Sequence, residues 1–92
     1  MDITEQLQYV ISQIKQIRVQ KGVSQIELSV RSNLSQSFLA NLEKGKKQPS
    51  VLTVIRIADA LEVSVQDFFP EIAEPESKER VKKKIISLLD SL

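Results

Sequence analysis

The sequence predicts an all-α protein of five short helices, followed by an additional C-terminal amphipathic helix. Three observations lead to this fold class. Apolar residues recur at spacings of three and four along most of the chain, which gathers them on one face of successive helices. A serine precedes four of the expected helices, and serine is a preferred N-cap. Glycine or proline stands near several expected helix ends, where each interrupts a helix.

The first helix is expected to end near Gly22. It carries an apolar stripe that should face the core. The stripe consists of Ile3, Leu7, Val10, Ile11, Ile14 and Ile17.

A tight turn is expected between the second and third helices. Ser24 with Glu27 three residues later has the pattern of a capping box, and the helix it opens should stop near Ser32. Asn33 tolerates left-handed backbone geometry, and Leu34 can fill the core from the turn.

The remaining helices of the domain have equally clear starts. Ser35 caps the third helix, which should run to about Lys44 and stop at Gly45. Ser50 and Ser64 cap the fourth and fifth. The inward face of the fourth helix is expected to hold Val51, Val54, Ala58 and Leu61, with Ile57 at its border.

Composition excludes several classes of function. The chain has 92 residues, enough for one domain, and its 13 basic and 12 acidic residues nearly cancel, so net charge does not indicate a nucleic-acid partner. The absence of Cys and His excludes thiol chemistry, zinc-finger coordination and His-based catalysis. We therefore expect no metal, no cofactor and no enzymatic activity. With neither a signal peptide nor a membrane-length apolar run, a cytoplasmic protein without membrane contact is expected.

The two short helices around a tight turn, from about Ser24 to Gly45, have the helix-turn-helix arrangement. Their residues, together with their neighbours, resemble the lambda-repressor and Cro-like family of regulators, also called the XRE family. The resemblance rests on RVQKGVSQIEL at 18–28, SQSFLANLEKG at 35–45, Pro49-Ser50, IADAL at 57–61 and VSVQDFF at 63–69. The sequence departs from the family pattern at Ser29, usually Ala, and at Asn33, often Gly.

The resemblance implies that Gln25 bonds a DNA phosphate and that Gln36 reads a base. The chemistry agrees, because a Gln amide can pair with adenine in the major groove or with phosphate beside a helix N-terminus. Ser37 and Asn41 could read a base edge, hold the DNA backbone or form only a solvated face, and Ala40 could contact a thymine methyl group. The lysines expected to contact phosphates are Lys44, Lys46 and Lys47.

Arg18 and Glu43 are expected to have a structural role instead. In the family that the chain resembles, the matching residues form a partly buried ion pair between the first and third helices. Guanidinium and carboxylate suit bidentate pairing.

The C-terminal region lies outside the resemblance. Domain boundaries are expected at 1–69 for the helix-turn-helix domain, 70–76 for a connector rich in Pro and Glu, and 77–92 for the amphipathic helix. This helix either pairs with a second copy or packs back on its own domain. The residues predicted to support dimerisation are Val81, Ile85, Leu88, Leu89 and Leu92.

These observations predict a transcriptional regulator, a repressor that binds a pseudo-palindromic operator in double-stranded DNA as a homodimer through the major groove. The alternative is a protein-interaction adaptor or antitoxin-like partner protein built on the same scaffold. Ile26 and Val30, apolar where the family generally has polar residues, would then contact a protein partner or the C-terminal helix. They could equally be isolated surface residues.

Overall fold

The computed structural model describes residues 1–70 and 86–90, and every regular element within them is helical. Residues 86–90 form a short helical segment. The structure confirms the all-α class, but the fifth element is a 3₁₀ helix of four residues and not an α-helix. The elements of the domain are α1 (Ile3–Gln20), α2 (Gln25–Ser32), α3 (Gln36–Glu43), α4 (Val51–Leu61) and the 3₁₀ helix (Val65–Phe68).

Each of the five elements of the domain begins at a capping side chain. The cap residue is extended, and its side-chain oxygen accepts a backbone N–H from the first turn, which satisfies a donor that has no partner within the helix. At the 3₁₀ helix, Asp67 also accepts the N–H of Ser64, which completes a capping box there. The caps are Asp2, Ser24, Ser35, Ser50 and Ser64.

The turn between α2 and α3 is held by hydrogen bonds to both the backbone and the side chain of Ser29. Asn33 adopts left-handed geometry with φ of 57°, as its side chain predicted, and its N–H donates to the Ser29 carbonyl. The Ser29 hydroxyl donates in return to the Leu34 carbonyl, and Leu34 packs against the core. The serine that departs from the family pattern therefore holds the turn.

The core lies where all five elements of the domain meet. Its centre is aliphatic apart from one aromatic ring, so packing of branched side chains supplies most of the buried apolar area. The largest fully buried side chains are Ile14, Leu28, Leu39, Leu42, Ile57, Leu61 and Phe68.

Two residues expected in the core lie on the surface instead. Ile3 is 85% exposed and Val51 is 78% exposed. Each is the first residue of its helix, where neighbouring elements do not cover the turn. Ile57, placed at the border of the inward face of α4, is completely buried. The α4 face is therefore centred closer to Ile57 than the spacing indicated.

Candidate nucleic-acid interface

Helix α3 has a buried apolar side and an exposed polar side. Leu39 and Leu42 are fully buried and fix the helix against the core. On the other side, Gln36 and Ser37 are exposed, while Ala40 and Asn41 are half-buried. Eight residues of α-helix are about 12 Å long, a length that fits within the DNA major groove.

Lys44, Lys46 and Lys47 are exposed immediately after α3. Gly45 adopts φ of 78°, a conformation that glycine tolerates best, and the chain turns back there. The Lys46 N–H then donates to the Asn41 carbonyl at 2.8 Å. The backbone of Lys46 is therefore held against the last turn of α3.

Arg18 and Glu43 form a bidentate ion pair between α1 and the end of α3. Arg18 Nε lies 2.8 Å from Glu43 Oε2, and Nη2 lies 2.8 Å from Oε1. The remaining nitrogen, Nη1, donates to the Val23 carbonyl in the loop before α2. The pair expected from the sequence thus joins α1, α3 and the start of α2.

Gln25 makes a contact that the sequence did not indicate. It is the first residue of α2, half-buried, and its Nε2 donates to Glu43 Oε1 at 3.2 Å. The residue expected to contact phosphate is therefore tied to the ion pair. Within residues 1–70 and 86–90, every buried side-chain polar atom has a hydrogen-bond partner.

Helix α2 has an apolar pair on its outer side. Ile26 and Val30 are both exposed, one turn apart. Glu27 and Arg31 also form an exposed ion pair at 3.7 Å. The unusual aliphatic residues of α2 are therefore accessible on the surface of the domain.

Two of the residues predicted to support dimerisation are described. Leu88 and Leu89 lie in the helical segment 86–90 and are more than half exposed. Val81, Ile85 and Leu92 lie outside the described residues, as does the connector beyond Pro70. Among residues 1–70 and 86–90, none of the helices combines the length and the apolar character that a membrane span requires.

Comparison with known proteins identifies the family. The model of the helix-turn-helix family matches residues 14–68, more than half of the chain. The chain belongs to the XRE family of helix-turn-helix regulators. The matched residues of this XRE-family protein include α2, α3 and the lysines after α3.

Relatives of this XRE-family chain are named as regulators. It is 42% identical over 53 residues to the HTH-type transcriptional regulator y4dJ of Sinorhizobium fredii. The aligned residues make up 58% of this chain and 69% of the relative. It is 38% identical over 52 residues to the immunity repressor protein of Bacillus phage phi105, covering 56% of this chain and 36% of the repressor. The chain therefore spans only about a third of the phage protein's length.

A solved structure shows a similar fold. The restriction-modification controller protein C.Esp1396I superimposes with a TM-score of 0.64 at 32% identity, covering 67% of this XRE-family chain and 80% of the controller. A tetramer of that controller has been solved in complex with its natural 35 base-pair operator. The family is thus one of DNA-binding transcriptional regulators and not of enzymes.

Proposed function

We propose that this protein is a repressor that binds a pseudo-palindromic operator as a homodimer and blocks transcription by occupying the site. The observation that carries the proposal is the division of α3. Leu39 and Leu42 are buried in the core, while Gln36 and Ser37 are exposed on the opposite side, and three exposed lysines follow the helix. The immunity repressor among its relatives favours repression over activation. Since the target is operator DNA, we propose that the protein acts in the cytoplasm.

Base readout is assigned to the exposed side of α3. Gln36 is at its first position, where a Gln amide can accept from adenine N6 and donate to adenine N7. Ser37 and Asn41 are one turn apart and offer hydroxyl and amide groups to neighbouring base edges. Ala40 offers a methyl group to thymine.

Phosphate contacts are assigned to residues around the C-terminal end of α3. Gln25 offers its side-chain amide at the N-terminus of α2, where backbone N–H groups also favour an anion. Lys44, Lys46 and Lys47 follow Glu43, which accepts the Gln25 amide, and extend the contact with positive charge at this same end of α3. These contacts position the protein on DNA without reading sequence.

A homodimer is proposed because one module with an eight-residue reading helix offers few base contacts. Two such helices about 34 Å apart would read two half-sites separated by one DNA turn. We assign the pairing to the amphipathic helix predicted for residues 77–92, of which Leu88 and Leu89 are exposed and apolar. The stripe predicted from the sequence, with Val81, Ile85 and Leu92, is wide enough to need covering.

Selection of bound sequences from a random pool of double-stranded DNA at near-physiological salt tests the proposal. We expect enrichment of inverted repeats, with half-sites about one helical turn apart. Enrichment of single half-sites would contradict dimeric readout, and no enrichment would contradict specific binding altogether. Gln36→Ala should change the enriched bases. The matched control Gln66→Ala, at an exposed residue of the 3₁₀ helix, should leave them unchanged.

The exposed Ile26 and Val30 favour one alternative, an adaptor or antitoxin-like protein that binds a protein partner through α2 and the C-terminal helix. Substitution of both residues by Glu tests it. Unchanged oligomerisation, stability and partner binding would dispose of this alternative.

A further inference from the structure

The carboxylate of Glu43 is a fixed acceptor at the end of α3. Its side chain is 3% exposed, and both of its oxygens accept hydrogen bonds. Arg18 holds it in two-point contact and is itself anchored to the Val23 carbonyl. With its guanidinium bonded at three nitrogens, Arg18 leaves the carboxylate little freedom to rotate.

Gln25 donates to this carboxylate from the next helix. Its Nε2 lies 3.2 Å from Glu43 Oε1, which links residues 18 positions apart in the chain. An ionised carboxylate accepts hydrogen bonds but cannot donate them. The nitrogen of the Gln25 amide, and not its oxygen, must therefore face Glu43.

This constraint bears directly on phosphate binding. A phosphate oxygen in DNA also only accepts, so a Gln side chain can bond it only through an N–H group. An amide nitrogen carries two such groups, and Glu43 takes one of them. Arg18 offsets the negative charge of Glu43, which would otherwise repel the phosphate.

We infer that Glu43, held by Arg18, is a positioning residue for DNA binding that fixes the Gln25 amide so that its second N–H is presented to a phosphate before DNA arrives. The inference rests on the proposed function, and it adds a second role to an ion pair that otherwise only supports the fold. Preorganisation of this kind strengthens binding because less side-chain freedom is lost on association.

Gln36 provides an internal comparison. Like Gln25, it is the first residue of its helix and follows a serine cap. It is exposed, and its side chain has no hydrogen bond within the described residues. A substitution at Glu43 should therefore affect the DNA contact of Gln25 and leave that of Gln36 unaffected.

A double-mutant cycle on DNA affinity tests the inference, at a temperature where circular dichroism shows every variant folded. Glu43→Gln should weaken binding to the selected operator about threefold to tenfold in the wild-type background and less than about twofold in the Gln25→Ala background. In the Gln36→Ala background, its full effect should remain. Equal effects of Glu43→Gln in all three backgrounds would overturn the inference and leave only a structural role.

A measurement on the wild-type protein covers the case in which Glu43→Gln does not fold. Nuclear relaxation of the side-chain amides in the free protein should show that Gln25 is nearly as rigid as its backbone and Gln36 is mobile. Equal mobility of the two amides would overturn the inference. Failure of the proposed function is distinguishable, because the wild type would then select no operator. If it does select one and Gln25→Ala binds it equally well, the phosphate contact of Gln25 fails together with the positioning role, while operator binding by the rest of the interface stands.

Discussion

Arg18 brings a positive charge into the domain interior and has that charge fully paired. Three of its nitrogens are bonded, two to Glu43 and one to the Val23 carbonyl. Arg31, by contrast, meets Glu27 in solvent at 3.7 Å. The same type of ion pair therefore occurs in this chain in two very different environments.

Arg18→Ala should lower the free energy of unfolding by about 3–5 kcal/mol, because it leaves the Glu43 carboxylate buried without its partner. Arg31→Ala is the matched control, and an exposed pair should contribute only about 0–1 kcal/mol. Urea unfolding followed by circular dichroism measures both. Wild-type stability of Arg18→Ala, combined with a changed operator preference, would contradict the structural role.

Lys46 is proposed to add affinity for DNA without adding sequence specificity. Lys46→Ala should weaken binding to all DNA sequences to a similar extent and reduce the magnitude of the slope of log affinity against log salt by about 1.8 for the dimer, because each of its two protomers loses one phosphate contact worth about 0.9. Affinity measured between low and physiological salt checks this prediction. Arg31→Ala removes the same charge from α2 and should leave the slope unchanged; a change of base preference in Lys46→Ala would argue against a phosphate contact.

Helices α1 and α4 end with different backbone geometries, and the geometry at the end of α4 is unfavourable for its residue. Helix α1 ends at Lys21 in right-handed geometry, followed by Gly22 with positive φ. Helix α4 ends at Glu62 with φ of 57°, in the left-handed region that side chains with a Cβ disfavour. The chain thus stores backbone strain at the end of α4.

Glu62→Gly should raise the free energy of unfolding by roughly 0.5–1 kcal/mol, because relief of the left-handed strain exceeds the added freedom of the unfolded chain. Lys21→Gly, at a right-handed helix end, should lower stability by up to about 1 kcal/mol. Thermal unfolding of both variants supplies the comparison. A loss of stability in Glu62→Gly would show that its side chain makes a contact worth more than the strain.

Predictability from sequence varied with the range of the interaction. Helix starts at Ser24, Ser35 and Ser50 were predicted correctly because a cap acts within one turn of its own residue. The burial predicted for Ile3 and Val51 was wrong. Periodicity gives the direction in which a side chain points, but not whether another element covers it. For Gln36 and Ser37, type and spacing within one helix were sufficient to predict an exposed side of α3, and their contacts with DNA stay predictions. The contact of Gln25 with Glu43 was not predictable, since it depends on how α2 packs against α3.

At the scale of the whole molecule, DNA recognition and self-association are assigned to different parts of the chain. The candidate DNA contacts lie between Gln25 and Lys47, within the family match. The proposed pairing surface includes Leu88 and Leu89, beyond the matched residues. Substitutions among the candidate DNA contacts should therefore leave self-association intact, and substitutions in the pairing surface should leave the DNA contacts of each protomer intact.

Leu89→Asp should shift the protein from dimer to monomer, because the dimer would have to bury a charge in its apolar contact. The melting temperature of the helix-turn-helix domain should not change. Sedimentation equilibrium gives the association constant. Val30→Asp places the same charge on the exposed side of α2 and should have no effect. A monomer produced by Val30→Asp would instead move the interface to α2.

The two-sided construction of α3 also bears on how such a regulator can diversify. Leu39 and Leu42 supply its hold on the core, while Gln36 and Ser37 project from it without supporting the fold. Exchanges at the outward positions therefore carry little penalty in folding, so under the proposed readout new operator preferences lie within reach of single substitutions. A genome that duplicates such a gene can separate the two copies onto different promoters without redesigning the scaffold.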